Sequence, residues 1–275
     1  MIPWHALALI AALGQSAGSS SADDRAEPEW MFRWSATLRS FAGATKVREH
    51  DSEPEHLDLD HDLHLDSSTG LHFELARDSQ ALQLVLEADM FGPSGSGELD
   101  HDFAYDEATF AGNRPFDVSS RFLFVRGSAA FKQAFTAGER ERWFGPVLGF
   151  EYPNFSLAIE QGTTMTKEYW WQFLPYPVVG VAGESRLCSW LTLEARVVGT
   201  YLHRWPTPFA EGGRVSMSAR MITAQAFLSA TLTDWLGIDL GLQYQYWDGE
   251  LHSHEDGNEL TLRSPAVMLG LHVRF

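Results

Sequence analysis

The final stretch of the chain, Ser264 to Phe275 (SPAVMLGLHVRF), restricts the fold more than any other segment. Val267, Leu269, Leu271, Val273 and Phe275 are apolar, and Met268, Gly270, His272 and Arg274 stand between them. Successive side chains of a β-strand point to opposite faces, so this alternation predicts a strand with one oily and one mixed face. It is also long enough to cross a bilayer as a tilted strand of about ten residues.

The pattern recurs along the chain. Trp30, Phe32, Trp34, Ala36 and Leu38 share one face, with Arg33, Ser35, Thr37 and Arg39 on the other. Leu82, Leu84, Leu86, Ala88 and Met90 oppose Gln83, Val85, Glu87 and Asp89. Glu87 and Asp89 are costly against lipid, which fixes that register. Leu191, Leu193, Ala195, Val197, Gly199 and Tyr201 put Glu194 and Arg196 on the inner face. Leu236, Ile238, Leu240, Leu242, Tyr244 and Tyr246 do the same for Asp239, Gln243 and Gln245. Between Val118 and Phe131 the register stays open, because Phe122/Phe124 and Leu123/Val125 are both apolar. Tyr152-Pro153-Asn154 is expected to interrupt a strand region from Trp143 to Ile159, and Leu99–Tyr105 to extend a strand above the membrane.

A strand with apolar residues at every second place and a terminal aromatic resembles the closing strand of bacterial outer-membrane β-barrel proteins. On that resemblance Val267, Leu269, Leu271, Val273 and Phe275 form the signal read by the barrel-assembly machinery, although Val273 stands where many relatives carry an aromatic. The expected fold is therefore all-β, an antiparallel transmembrane barrel of up-and-down topology. Ten strands is the preferred count and twelve the alternative, since a bacterial barrel with both termini in the periplasm has an even number. Short turns at 77–79 and 233–234 alternate with longer loops, as that topology requires.

Composition agrees. Aromatics make up 13% of the chain and include ten Trp, which suits interfacial girdles. The net charge of −17 argues against a nucleic-acid partner, because a phosphate backbone selects a basic face. The single cysteine, Cys188, excludes an intramolecular disulfide. At the N-terminus, Ala6–Leu13 is a short apolar core followed by small residues to Ala22. We expect residues 1–22 to be a signal peptide, with Ala17 a second cleavage position, and residues 23–275 to be the barrel in the outer membrane. Its expected surroundings are outer-membrane lipid and lipopolysaccharide.

Inward positions name a lumen charge network of Arg39, Glu87, Asp89, Glu194, Arg196, Asp239 and Arg274, with Arg33 and His272 on the same face. Both signs are present, and buried charges require partners. The run Leu57 to Asp66 (LDLDHDLHLD), if extended, puts Asp58, Asp60, Asp62, His64 and Asp66 on one side. Such a row suits a divalent cation, and its oxygen ligands point to Ca²⁺. No other cofactor is called for. The leading functional expectation is a structural or surface-interaction barrel whose acidic loops meet divalent cations or lipopolysaccharide. The alternatives are a rim enzyme using His203, His252 or His254 beside Ser253, and a small passive channel. Asp248–Leu260 reads as a loop, and Tyr169–Phe173 as an interfacial aromatic cluster.

Overall fold

The computed structural model describes residues 29–48, 55–105, 108–137, 140–169, 174–207, 215–252 and 257–275. The expected signal peptide lies outside these residues. Fifteen strand segments form one antiparallel sheet, and its backbone pairing closes on itself through ten of them. In chain order these are β1 (Glu29–Ser40), β2 (Ser67–Asp78), β3 (Leu82–Phe91), β4 (Phe116–Phe131) and β5 (Arg140–Gln161). They are followed by β6 (Tyr176–Cys188), β7 (Leu191–Pro206), β8 (Ser216–Thr231), β9 (Leu236–His252) and β10 (Gly257–Arg274). Each strand pairs with the next in sequence. β10 pairs with β1 from Met31↔Arg274 to Arg39↔Ala266, which leaves the ring no open edge.

The five remaining segments lengthen hairpins rather than enter the ring. Ala42–Arg48 continues the β10 edge upward, and Glu55–Asp58 adds to it. Ser94–Gly97 pairs with β4, while Gln133–Ala137 and Thr164–Tyr169 pair with β5. Phe103–Tyr105 and Ala108–Phe110 form a separate two-stranded sheet, so the segment from Leu99 is only partly strand. Two more expectations change. β9 and β10 run through most of Asp248–Leu260 as a paired hairpin, with only residues 253–256 outside the described set. Nor does Pro153 break β5: it sits opposite Phe124, and the ladder continues on both sides.

The outer face follows the alternation. Leu240, Leu242, Val267, Leu269, Ile222 and Val197 are exposed around the middle of the ring. Trp30, Trp190, Trp235 and Phe275 crowd the end where β1 begins, β10 finishes and the short turns lie. Tyr201, Trp205 and Tyr244 lie toward the other end. A lipid-facing band flanked by aromatic girdles is the surface a hydrocarbon layer requires. By the barrel rule the end with the short turns is periplasmic and the long-hairpin end extracellular.

The interior has two unlike halves. Toward the extracellular end it is an apolar core of Phe41, Phe91, Phe122, Phe124, Phe155, Trp247 and their neighbours. Trp247 packs edge-on to Phe155 with ring centroids 4.6 Å apart. Gly249 makes room for that indole, since a Cβ there would fall 2.0 Å from Trp247 Cη2. Toward the periplasmic end the interior is ionic.

Candidate functional site: a charged lumen under an apolar cap

Alternation sends one residue in two inward, so neighbouring strands pile their inward charges into the same narrow space. Arg33 on β1 is fully buried and grips three carboxylates. Its Nε donates to Asp239 Oδ2 at 3.1 Å, Nη1 to Glu74 Oε1 at 3.0 Å, and Nη2 to both oxygens of Glu194 at 3.0 Å. Its guanidinium lies 4.1 Å from the centre of the Phe227 ring. His272 Nδ1 stands 3.0 Å from Asp239.

One layer up, Arg39 Nη2 donates to Asp89 Oδ1 at 2.7 Å and also to Gln243. Gln243 Nε2 and His72 Nδ1 reach the same carboxylate at 3.0 Å each. Arg126 joins Glu87, through Nη1 at 3.1 Å, to Glu151, through Nε at 2.9 Å. Arg196 Nη1 lies 3.1 Å from Glu87 Oε1. These are charge-assisted contacts in a largely buried site, and each carboxylate has a cationic neighbour.

Of the charges expected in the lumen, Arg39, Glu87, Asp89, Glu194, Arg196 and Asp239 meet there. Arg274 does not. It has the inward parity but sits at the periplasmic rim, partly exposed, with Nε 3.8 Å from Glu29 Oε1. It is one inward position beyond His272, the last side chain enclosed by the ionic layers on that strand. Arg126, Glu151, Glu74 and His72 belong to the network and escaped the sequence reading. For His72 and Glu74 the signal was present, because Leu71, Phe73 and Leu75 face outward. For Arg126 it was hidden in the open register of β4, whose inward residues Phe122 and Phe124 are apolar too.

The acidic run is not an extended row. Residues 59–63 turn, and Leu57, Leu59, Leu63 and Leu65 all point into the upper core at 2% exposure or less. Asp62 Oδ2 accepts the Asp58 backbone N–H at 2.8 Å, and Asp60 Oδ1 accepts that of Gly43 at 3.5 Å. Asp60, His64 and Asp66 are exposed, and Asp58 is partly so. The segment is an apolar lid with an acidic outer surface. Glu98, Asp100, Asp102, Asp117 and Glu160 enlarge that surface. The hydrogen bond from His101 holds the Asp100 carboxyl below its usual range. A groove of about 440 Å³ runs along the outside of the long hairpins between Ser94–Ser96, Asp117–Ser119 and Glu160.

The barrel-signal residues Val267, Leu269 and Leu271 face outward on β10, Phe275 is exposed just past its end, and Val273 is partly exposed beside them. At the rim, His252 Nε2 contacts Glu250 at 2.8 Å, and His203 is exposed. Among the described residues neither is hydrogen-bonded to a serine, threonine or cysteine. Ser253, His254 and Trp170–Phe173 lie outside the described residues.

No family model matches the chain, and no curated protein matches its sequence significantly. Solved structures do match. The outer membrane protease OmpT from Escherichia coli aligns with a TM-score of 0.50 at 11% identity, over 94% of this chain and 99% of that one. OprG from Pseudomonas aeruginosa gives 0.39 at 8% identity, over 90% and 96%. Ail of Yersinia pestis, solved with the heparin analogue sucrose octasulfate, gives 0.37 at 11%, over 91% and 100%. The chain thus has the fold of the bacterial outer-membrane β-barrels. At these identities the likeness extends to fold alone.

Proposed function

We propose that this protein is an outer-membrane barrel that acts at its extracellular surface and conducts nothing through its lumen. One observation carries the reading: the interior is closed twice, by the arginine–carboxylate network below and by the aromatic core and leucine lid above. A permeation path needs a continuous water column, and fully buried Arg33, Trp247 and Leu63 leave no such column in the described interior. What remains available to partners is the acidic outer end, with its groove.

Such a face lies beside the phosphates of lipopolysaccharide and would be repelled by them unless divalent cations bridge the two. The repulsion is local, because exposed charges are screened over about 8 Å at physiological salt. Asp60, His64 and Asp66 are the exposed groups of the lid that a bridging Ca²⁺ would meet. Export through residues 1–22 and insertion by the barrel-assembly machinery complete the proposal.

The test is electrical. Purified protein reconstituted in planar bilayers should stay silent under applied voltage. Discrete, reproducible conductance steps would overturn the sealed-lumen reading in favour of a channel. Ca²⁺-dependent retention of lipopolysaccharide by the reconstituted barrel tests the surface role, and retention unchanged by a chelator would remove the cation bridge.

A further inference from the structure

We propose that the lumen holds a divalent transition-metal cation, with Zn²⁺ the matching probe, ligated by His72, Glu74 and Glu87. Facing strands β2 and β3 bring these three together. His72 and Glu74 are two residues apart on one inward face, and Glu74 pairs directly with Glu87 across the ladder. All three are buried, and one ligand atom from each lies within 4.8 Å of the other two.

The histidine is the independent sign. Its Nδ1 stands 3.0 Å from Asp89 Oδ1, and a carboxylate can only accept, so Nδ1 carries the proton. In the neutral ring Nε2 is then the nitrogen with a lone pair to coordinate. Nε2 is fully enclosed and has no hydrogen-bond partner. An imidazole whose second nitrogen is fixed by a carboxylate is the arrangement that orients histidine ligands on metals. The glutamates keep an oxygen in reserve. Arg33 binds Glu74 through Oε1, and Arg126 binds Glu87 through Oε2. Glu87 Oε1 accepts no hydrogen bond, although Arg196 lies 3.1 Å away off the bonding direction.

Charge points the same way. The closed layers of the lumen hold six carboxylates (Glu74, Glu87, Asp89, Glu151, Glu194, Asp239) against four guanidiniums (Arg33, Arg39, Arg126, Arg196). Carboxylates thus outnumber guanidiniums by two in these layers, surroundings that favour a bound cation. Glu184, partly buried toward the periplasmic mouth, adds a further negative charge. A cavity of about 20 Å³ touches Glu74 and is also lined by Gln83, Glu194, Arg196 and Gln225. It has room for one water beside Glu74, since a water needs about 10–15 Å³, although neither His72 nor Glu87 lines it. Ligand atoms around a tetrahedral ion stand about 3.3 Å apart, given metal–ligand bonds of about 2.0–2.1 Å. Binding would therefore draw the three side chains inward. One nitrogen with carboxylate oxygens suits Zn²⁺ and its first-row neighbours better than Ca²⁺.

The experiment is refolding of the full barrel with Zn²⁺, exhaustive dialysis, metal analysis and zinc X-ray absorption. Retention of one zinc per chain with a single imidazole in its shell is the expected result. His72→Gln and, separately, Glu74→Gln should each lower retention at least tenfold, while His61→Asn on the lid leaves it unchanged. Heat-dependent mobility on electrophoresis identifies which variants have closed barrels. If His72→Gln does not fold, the absorption spectrum of the unaltered protein decides. No retained zinc, or a shell with two or more imidazoles, overturns the proposal.

Discussion

Trp247 donates its indole N–H to Tyr176 Oη at 2.9 Å, and Tyr176 in turn donates to Glu151 Oε1 at 2.8 Å. This two-bond chain is the seam between the two halves of the interior. The indole body belongs to the aromatic core, its N–H is the first polar group below it, and Glu151 is already part of the ionic network. Tyr176→Phe would keep the ring and remove the hydroxyl, leaving a buried N–H and a buried carboxylate oxygen each short of a partner. An unsatisfied buried group costs about 1–3 kcal/mol. Urea titration of the barrel in lipid vesicles should show a loss of that order for Tyr176→Phe. A loss near zero would mean that water fills the seam.

Arg33 is ion-paired with Asp239, Glu74 and Glu194 at once. Arg33→Met removes one cation and strands three carboxylates in a closed space. Breaking a buried pair costs roughly 3–5 kcal/mol, and most of that cost is the uncompensated charge left behind. Adding Glu74→Gln to Arg33→Met should therefore recover part of the loss. The same vesicle titration on the two single variants and the double variant closes the cycle. A double variant weaker than the sum of both singles would show that the network contributes beyond charge compensation.

The outer face of this barrel could be read from sequence, because lipid accepts only apolar side chains and in the periplasmic half most of their lumen-side neighbours are polar. Leu240 and Asp239, or Leu86 and Glu87, announce their sides at once. The inner face was half legible. In the periplasmic half polar residues mark it, but in the extracellular half Phe122, Phe124 and Phe155 point inward into their own core, so alternation vanishes. Arg126 was lost with the register it belongs to. The lid misled for a related reason. Leu57, Leu59, Leu63 and Leu65 alternate with acids as a strand would, yet residues 59–63 turn, and the turn itself brings all four leucines to one side. Arg274 had the right parity at the wrong height, and parity carries no height.

The lid and the core beneath it are separable seals. Leu59 and Leu63 are buried in the lid, whereas Phe155, Trp247 and Tyr176 close the section below. Leu59→Ser with Leu63→Ser should loosen the outer end, seen as faster proteolysis within residues 55–66. The bilayer current should stay at baseline. Conductance steps in this variant would show that the lid alone seals the barrel.

Position on the outer face should set the cost of a charge. Leu240 is about half-exposed at mid-belt on β9, flanked on the outer face by Leu228 and Leu269. Glu250 lies on the same outer face of the same strand, nearer its extracellular end. Arginine facing the bilayer midplane costs about 2–4 kcal/mol, falling to about 0–1 near the interface. Leu240→Arg should therefore shift the urea midpoint in vesicles strongly and Glu250→Arg hardly at all. The contrast depends on hydrocarbon and not on the strand, so it should shrink when both variants are unfolded from detergent micelles, which deform around the charge. Equal shifts in vesicles would place the lipid band elsewhere on the barrel, and with it the division between the membrane-embedded ring and the acidic face above it.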